Sequence, residues 1–150
     1  TIQFALQGGI IDLTCGMTGS AIPVPQAVKQ ALDAGVPLER LTLSSDGNGS
    51  MPKFNENNEL IGLTAAAPRY LYEEMLSIVK AGVLPFDKAL QLITCNVADA
   101  LKLEDKGRIA VGKDADLIVW NDDLTLNKVF ARGRLMVDEG QAVVKGTFEN

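Results

Sequence analysis

Two short apolar runs, Ile10-Ile11-Asp12-Leu13-Thr14 and Leu41-Thr42-Leu43-Ser44, flank a single helical segment, and this order restricts the fold more than any other feature. Gly8-Gly9 and Gly16 bound the first run, and the polar break Ser45-Asp46-Gly47-Asn48-Gly49-Ser50 ends the second. Runs of this kind read as buried strands. Between them Ala27, Val28, Ala31 and Leu32 recur at helical spacing over residues 26–34. Gly35 supplies a C-terminal cap and Pro37 prevents continuation, while Pro23 and Pro25 read as loop punctuation ahead of the helix. Strands separated by a helix pair in parallel with the helix as crossover, so the first fifty residues predict an α/β fold.

Residues 51–62 are polar, contain Pro52 and an Asn/Glu-rich stretch at 55–59, and read as a long exposed loop. Pro68 suits the first turn of a helix whose face carries Leu71, Met75, Ile78 and Val79, with Met75 as core filler. Pro85 opens another helix with Phe86, Ala89, Leu90 and Ile93 along one side, and Asn96 reads as the cap of a short helix through Leu101. After Leu103 the hydrophobic period changes from 3.6 to 2. Strands are predicted at 117–120, 127–131, 134–137 and 142–145, joined by turns at Arg132-Gly133 and Asp138-Glu139-Gly140. The change of period divides the chain into residues 1–104 and an antiparallel β unit at 105–150.

The chain has 150 residues, of which 47% are hydrophobic, so a sizeable core is available. A net charge of −5 and the lack of a basic stripe argue against nucleic acid and anionic membrane surfaces as partners. No apolar run approaches the roughly 20 residues that span a bilayer. The N-terminus has no basic flank or small-residue cleavage site, so no signal peptide is expected; the expected location is cytoplasmic. Cys15 and Cys95 are the two cysteines; they read as buried, reduced thiols, with no spacing that suggests a cysteine zinc site.

Asp46 is the first candidate for chemistry. It follows the carboxyl end of a predicted parallel strand, where α/β proteins place their sites. Two readings stand: a metal ligand or general base, or an Asx-turn closing the Gly47-Asn48-Gly49 loop. The chain contains no histidine, so neither Ser44 nor Ser45 has an imidazole to activate it. Ser50 reads either as a contact to a substrate carboxylate or as a solvated loop residue. The pair Asp114 and Asp116 lacks the rest of a calcium loop and reads as a charged turn, and Arg69 reads as an exposed cation near a helix start.

Four stretches carry a resemblance. Leu43-Ser44-Ser45-Asp46-Gly47-Asn48-Gly49-Ser50 resembles the eighth strand and following loop of the bacterial isoaspartyl dipeptidases, within the metal-dependent amidohydrolase superfamily. Thr94-Cys95-Asn96-Val97-Ala98 resembles the superfamily's Thr-x-Asn-x-Ala step between helices. Gly107-Arg108-Ile109 with Gly112-Lys113-Asp114-Ala115-Asp116-Leu117 resembles its return into a small β domain. Residues 129–137 and Val144-Lys145-Gly146-Thr147-Phe148-Glu149 are similar to the dipeptidase C-terminus.

The resemblance implies the last two βα units of a (β/α)8 TIM barrel followed by part of a small β-sandwich domain, that is, a C-terminal portion whose N-terminal barrel half lies elsewhere. It implies hydrolysis of β-aspartyl dipeptides through a metal-bridging hydroxide held by two zinc ions. Asp46 would be both metal ligand and proton shuttle, and Gly49 and Ser50 would contact the substrate. The family's histidine ligands and carboxylated lysine lie on earlier strands with no counterpart here, so the chain alone is expected to be inactive and to need the missing half or a complementary chain. A homo-oligomer is expected for the parent. Other amidohydrolases (dihydroorotase, hydantoinase or amino-sugar deacetylase types) and a non-catalytic assembly partner are the alternatives.

Overall fold

A computed structural model describes residues 1–17 and 22–146. The chain forms two compact units, Thr1–Leu101 and Lys102–Asn150.

In the first unit, strands β1 (Ile11–Thr14) and β2 (Leu41–Ser44) pair in parallel, with Ile11 opposite Leu41 and Thr14 opposite Ser44. The pleat sends alternate residues to opposite faces. Ile11, Leu41 and Leu43 join the core on one face, where helices α2 (Val24–Asp33), α3 (Tyr70–Lys80) and α4 (Phe86–Gln91) pack. Helix α1 (Ile2–Leu6) contributes Ala5 to the same cluster. Met75, Ile78 and Leu92 are wholly enclosed, and truncating one such side chain to alanine costs about 2–5 kcal/mol.

Helix α2 starts two residues before the predicted segment. Pro25 lies inside its first turn, where a missing N–H costs nothing, rather than in a loop. Its end is set by Gly35 at φ +85°, which lets the Gly35 N–H reach the Leu32 carbonyl and the Val36 N–H reach that of Ala31. These two bonds satisfy carbonyls the helix would leave open.

Residues 51–62 are not a loop. Strands β3 (Ser50–Phe54) and β4 (Leu60–Ala65) form an antiparallel hairpin, with Ser50 opposite Ala65 and a register shift at Lys53/Phe54. Its turn is closed by Asn55, whose side-chain oxygen accepts the N–H groups of Asn57 and Glu59. Met51 is buried, whereas Leu60, Ile61 and Leu63 on β4 are exposed.

Asn96 does not cap a helix, because it lies within α5 (Cys95–Leu101). Its buried amide instead donates to the Leu38 and Leu41 carbonyls at 2.8 and 2.9 Å, pinning α5 to the start of β2. Removing that amide would leave two carbonyls short of partners, at about 1–3 kcal/mol each.

The second unit is a four-stranded antiparallel meander: β5 (Leu117–Trp120), β6 (Leu126–Ala131), β7 (Arg134–Asp138) and β8 (Gln141–Ala142). The last strand is shorter than the predicted 142–145, and Thr147-Phe148-Glu149 lies outside the described residues. Positive φ at both Arg132-Gly133 and Glu139-Gly140 gives the two-residue turns whose twist matches paired strands.

Candidate active-site loop

Beyond the end of β2 the chain turns sharply, with Asp46 at φ +47° and Asn48 at φ +65°. Left-handed backbone at two non-glycine residues so close together costs energy and needs external anchorage. The anchors are main-chain bonds. Gly49 N–H donates to the Asp46 carbonyl at 2.8 Å, Asn48 N–H to the Ala66 carbonyl at 2.9 Å, and Ala66 N–H to the Gly49 carbonyl at 2.8 Å. The loop is therefore stitched to the base of the β3–β4 hairpin.

This pattern disposes of the Asx-turn reading. The carbonyl of Asp46, not its side chain, closes the turn. The exposed Asp46 carboxylate makes no hydrogen bond or ion pair among the described residues. It lies over the α-carbon of Gly49: a methyl group there would fall 2.7 Å from the carboxylate carbon and from Oδ2. Gly49 is thus required by the place of the carboxylate. Ser50 is exposed, but as the first residue of β3 rather than as part of a free loop.

A polar group that sequence reasoning missed lies on the opposite face of β1 and β2 from the core. The Asp12 carboxylate accepts a hydrogen bond from Thr42 Oγ1 at 2.8 Å and another from Ser44 Oγ at 2.5 Å. Its signal was present as the polar half of the period-2 alternation, with Asp12 between Ile11 and Leu13 and Thr42 between Leu41 and Leu43. Ser44 donates its hydroxyl to Asp12, and the chain has no histidine to activate it.

Cys15, just after β1, is fully buried, and burial, with the charges of Glu74 and Asp12 adding to it, pushes its thiol up to about 12. Cys95 is half-buried, and both cysteines are free thiols. Arg69 pairs with Glu73 at 3.1 Å and stacks over the Tyr70 ring at 5.6 Å.

The other candidate carboxylates are engaged in ion pairs. Lys106 Nζ bridges Asp114 at 2.7 Å and Asp116 at 2.5 Å, and Asp116 Oδ1 also accepts the Arg132 N–H. The hydrogen bond from Lys106 holds both aspartates below the ordinary 3.8, and Arg132 reinforces this. The Asp-x-Asp pair is a structural clasp on the β6–β7 turn.

Zinc takes about four ligands, and an unpaired carboxylate oxygen suits one position. Asp46 fits such a role, but among the described residues there is no group of three or more His, Cys, Asp or Glu able to hold an ion. No helix among the described residues is long and apolar enough to cross a membrane.

Residues 23–139 match the Amidohydrolase family. The imidazolonepropionase of Anaeromyxobacter sp. (strain K) is 34% identical over 112 residues, which cover 75% of this chain and 22% of the relative. Adenine deaminase 1 of Carboxydothermus hydrogenoformans is 28% identical over 104 residues, or 68% of this chain and 17% of the relative. Among solved structures, the β-aspartyl dipeptidase of Fervidobacterium islandicum AW-1, in complex with a β-Asp-Leu dipeptide, superposes with a TM-score of 0.82 at 31% identity. That match covers 97% of this chain and 38% of the dipeptidase. The chain thus spans well under half the length of the proteins it matches.

Proposed function

We propose that this chain, which belongs to the amidohydrolase family, forms the C-terminal portion of a zinc-dependent β-aspartyl dipeptidase of the cytoplasm, comprising the last two βα units of a (β/α)8 barrel (residues 1–104) and part of a small β domain (residues 105–150). The observation that carries this reading is the match to a β-aspartyl dipeptidase over 97% of the chain at 31% identity. The unpartnered carboxylate at the mouth of a parallel strand supports it.

In this reading Asp46 is a metal ligand that also moves a proton. A bound zinc pair would supply an acidified water and polarise the scissile amide. Asp46 would help hold the metal, and its carboxylate would accept a proton and pass it to the leaving amine. Gly49 keeps the space over which that carboxylate lies, and Ser50 donates to a substrate carboxylate. The other ligands come from a barrel half outside this sequence, and the parent assembles as a homo-oligomer.

A second reading, a deaminating or ring-opening amidohydrolase, draws on the imidazolonepropionase and adenine deaminase relatives. Assaying the full-length protein for release of leucine from β-Asp-Leu, beside deamination of adenine, separates them. Leucine release is expected. Adenine turnover without it would transfer the assignment. The 150-residue chain alone with added zinc is expected to show no turnover.

A further inference from the structure

We propose that Asp12 is a positioning residue for Asp46, an inference that rests on the reading of Asp46 given above. Asp46 lies two residues past the end of β2, on left-handed backbone. Its loop is tied on the hairpin side through Ala66. On the other side, the approach to Asp46 starts from Ser44, the last residue of β2. Ser44 pairs with Thr14 in the ladder, its carbonyl accepts the Cys15 N–H at 2.7 Å, and its hydroxyl donates to Asp12 Oδ2 at 2.5 Å. The other Asp12 oxygen takes the Thr42 hydroxyl at 2.8 Å. One carboxylate thus grips two successive same-face residues of the neighbouring strand, with Thr42 directly opposite it in register.

A four-residue parallel pair has few ladder bonds, and a parallel pair is the weaker kind. Charge-assisted bonds donated by two hydroxyls to one carboxylate are about twice as strong as neutral ones. Both hydrogen bonds of the Asp12 carboxylate go to β2, to Thr42 and Ser44, and neither goes to the 45–50 loop. Asp12 acts by holding the strand end from which Asp46 projects, between the clamp on β1 and the stitch to Ala66.

The test uses the full-length protein carrying this sequence, with Asp12→Ala, Asp12→Asn and Ser44→Ala. Turnover of β-Asp-Leu gives kcat and KM, and amide hydrogen exchange of a peptide covering residues 45–50 gives a readout independent of activity. In Asp12→Ala, kcat is expected to fall roughly tenfold with KM within about twofold. Exchange across 45–50 is expected to quicken roughly tenfold, with the α2 and α3 peptides unchanged. Asp12→Asn keeps one acceptor oxygen and should lie between wild type and alanine. Unchanged exchange at 45–50 in a folded Asp12→Ala protein would overturn the proposal, as would faster exchange throughout the unit with KM and kcat moving together. If Asp12→Ala does not fold, Ser44→Ala removes one of the two bonds and is judged on the same exchange criterion. If the wild-type protein leaves β-Asp-Leu intact, the functional reading fails, and the exchange comparison alone decides the role of Asp12.

Discussion

The two units each carry an aspartate-bearing turn, and the two turns are built in opposite ways. In the second unit Asp114 and Asp116 spend their oxygens on Lys106, Arg132 and the Arg132 N–H, and the turn depends on them. In the first unit the main chain alone closes the loop, through Gly49 N–H to the Asp46 carbonyl and the two bonds to Ala66. Among the described residues the Asp46 side chain makes no hydrogen bond or ion pair. The proposed metal-binding role of Asp46 rests on this contrast, a carboxylate left unengaged on left-handed backbone.

The largest effect should separate the turns outright. Asp46→Asn in the full-length protein is expected to lower kcat on the order of 10³-fold while shifting stability by no more than about 0.5 kcal/mol. A large loss of stability would erase the contrast, because Asp46 would then be structural. Gly49→Ala comes next. The added methyl lies 2.7 Å from the carboxylate and 2.8 Å from the Asp46 carbonyl oxygen, so the loop must shift. Displacing a reacting group by about 1 Å costs on the order of 10²-fold in rate. Activity near wild type would mean that the carboxylate need not lie where it does.

A smaller effect belongs to the second unit. Asp114 and Asp116 ionise below 3.8 when folded, so their pairing is fully present above that value and is lost as pH falls through their lowered values. Lys106 is raised above 10.5, so its share is lost only as pH climbs past that. Trp120, the one tryptophan, lies in β5, so its fluorescence reports this unit. The acid transition it reports should flatten in Asp114→Asn/Asp116→Asn, and an unchanged acid limb would show that the clasp contributes no stability. The smallest effect is at Cys15. Its thiol is neutral until about 12 when folded, so a thiol reagent near pH 8 should label Cys95 well ahead of Cys15. Equal rates would show that the β1 end opens freely.

The parallel pair and its helices were legible because their signals are local: apolar runs, helical spacing, and a glycine–proline stop at Gly35 and Pro37. The hairpin at 50–65 was not. Pro52 and the Asn55-to-Glu59 stretch resemble a loop, and that stretch does turn, but Leu60, Ile61 and Leu63 form a strand with no buried face to give it alternation. Asn96 misled for another reason. Its partners lie 55 and 58 residues away in the sequence, so spacing points only to a cap. Asp46 was visible as a candidate, but whether its side chain or its carbonyl closed the turn needed coordinates. Asp12 was visible only as a polar residue in an apolar run, and its two hydroxyl partners come from a strand 30 residues on.

The stitch between Asn48, Gly49 and Ala66 bears on protein engineering. The five residues from Asp46 to Ser50 are not a transplantable cassette, because the partner that holds their shape sits sixteen residues after Ser50 in the sequence. The smallest portable module runs from Leu41 through Ala66, strand, loop and hairpin together. A scaffold offered only the short loop would receive the carboxylate without the architecture that aims it.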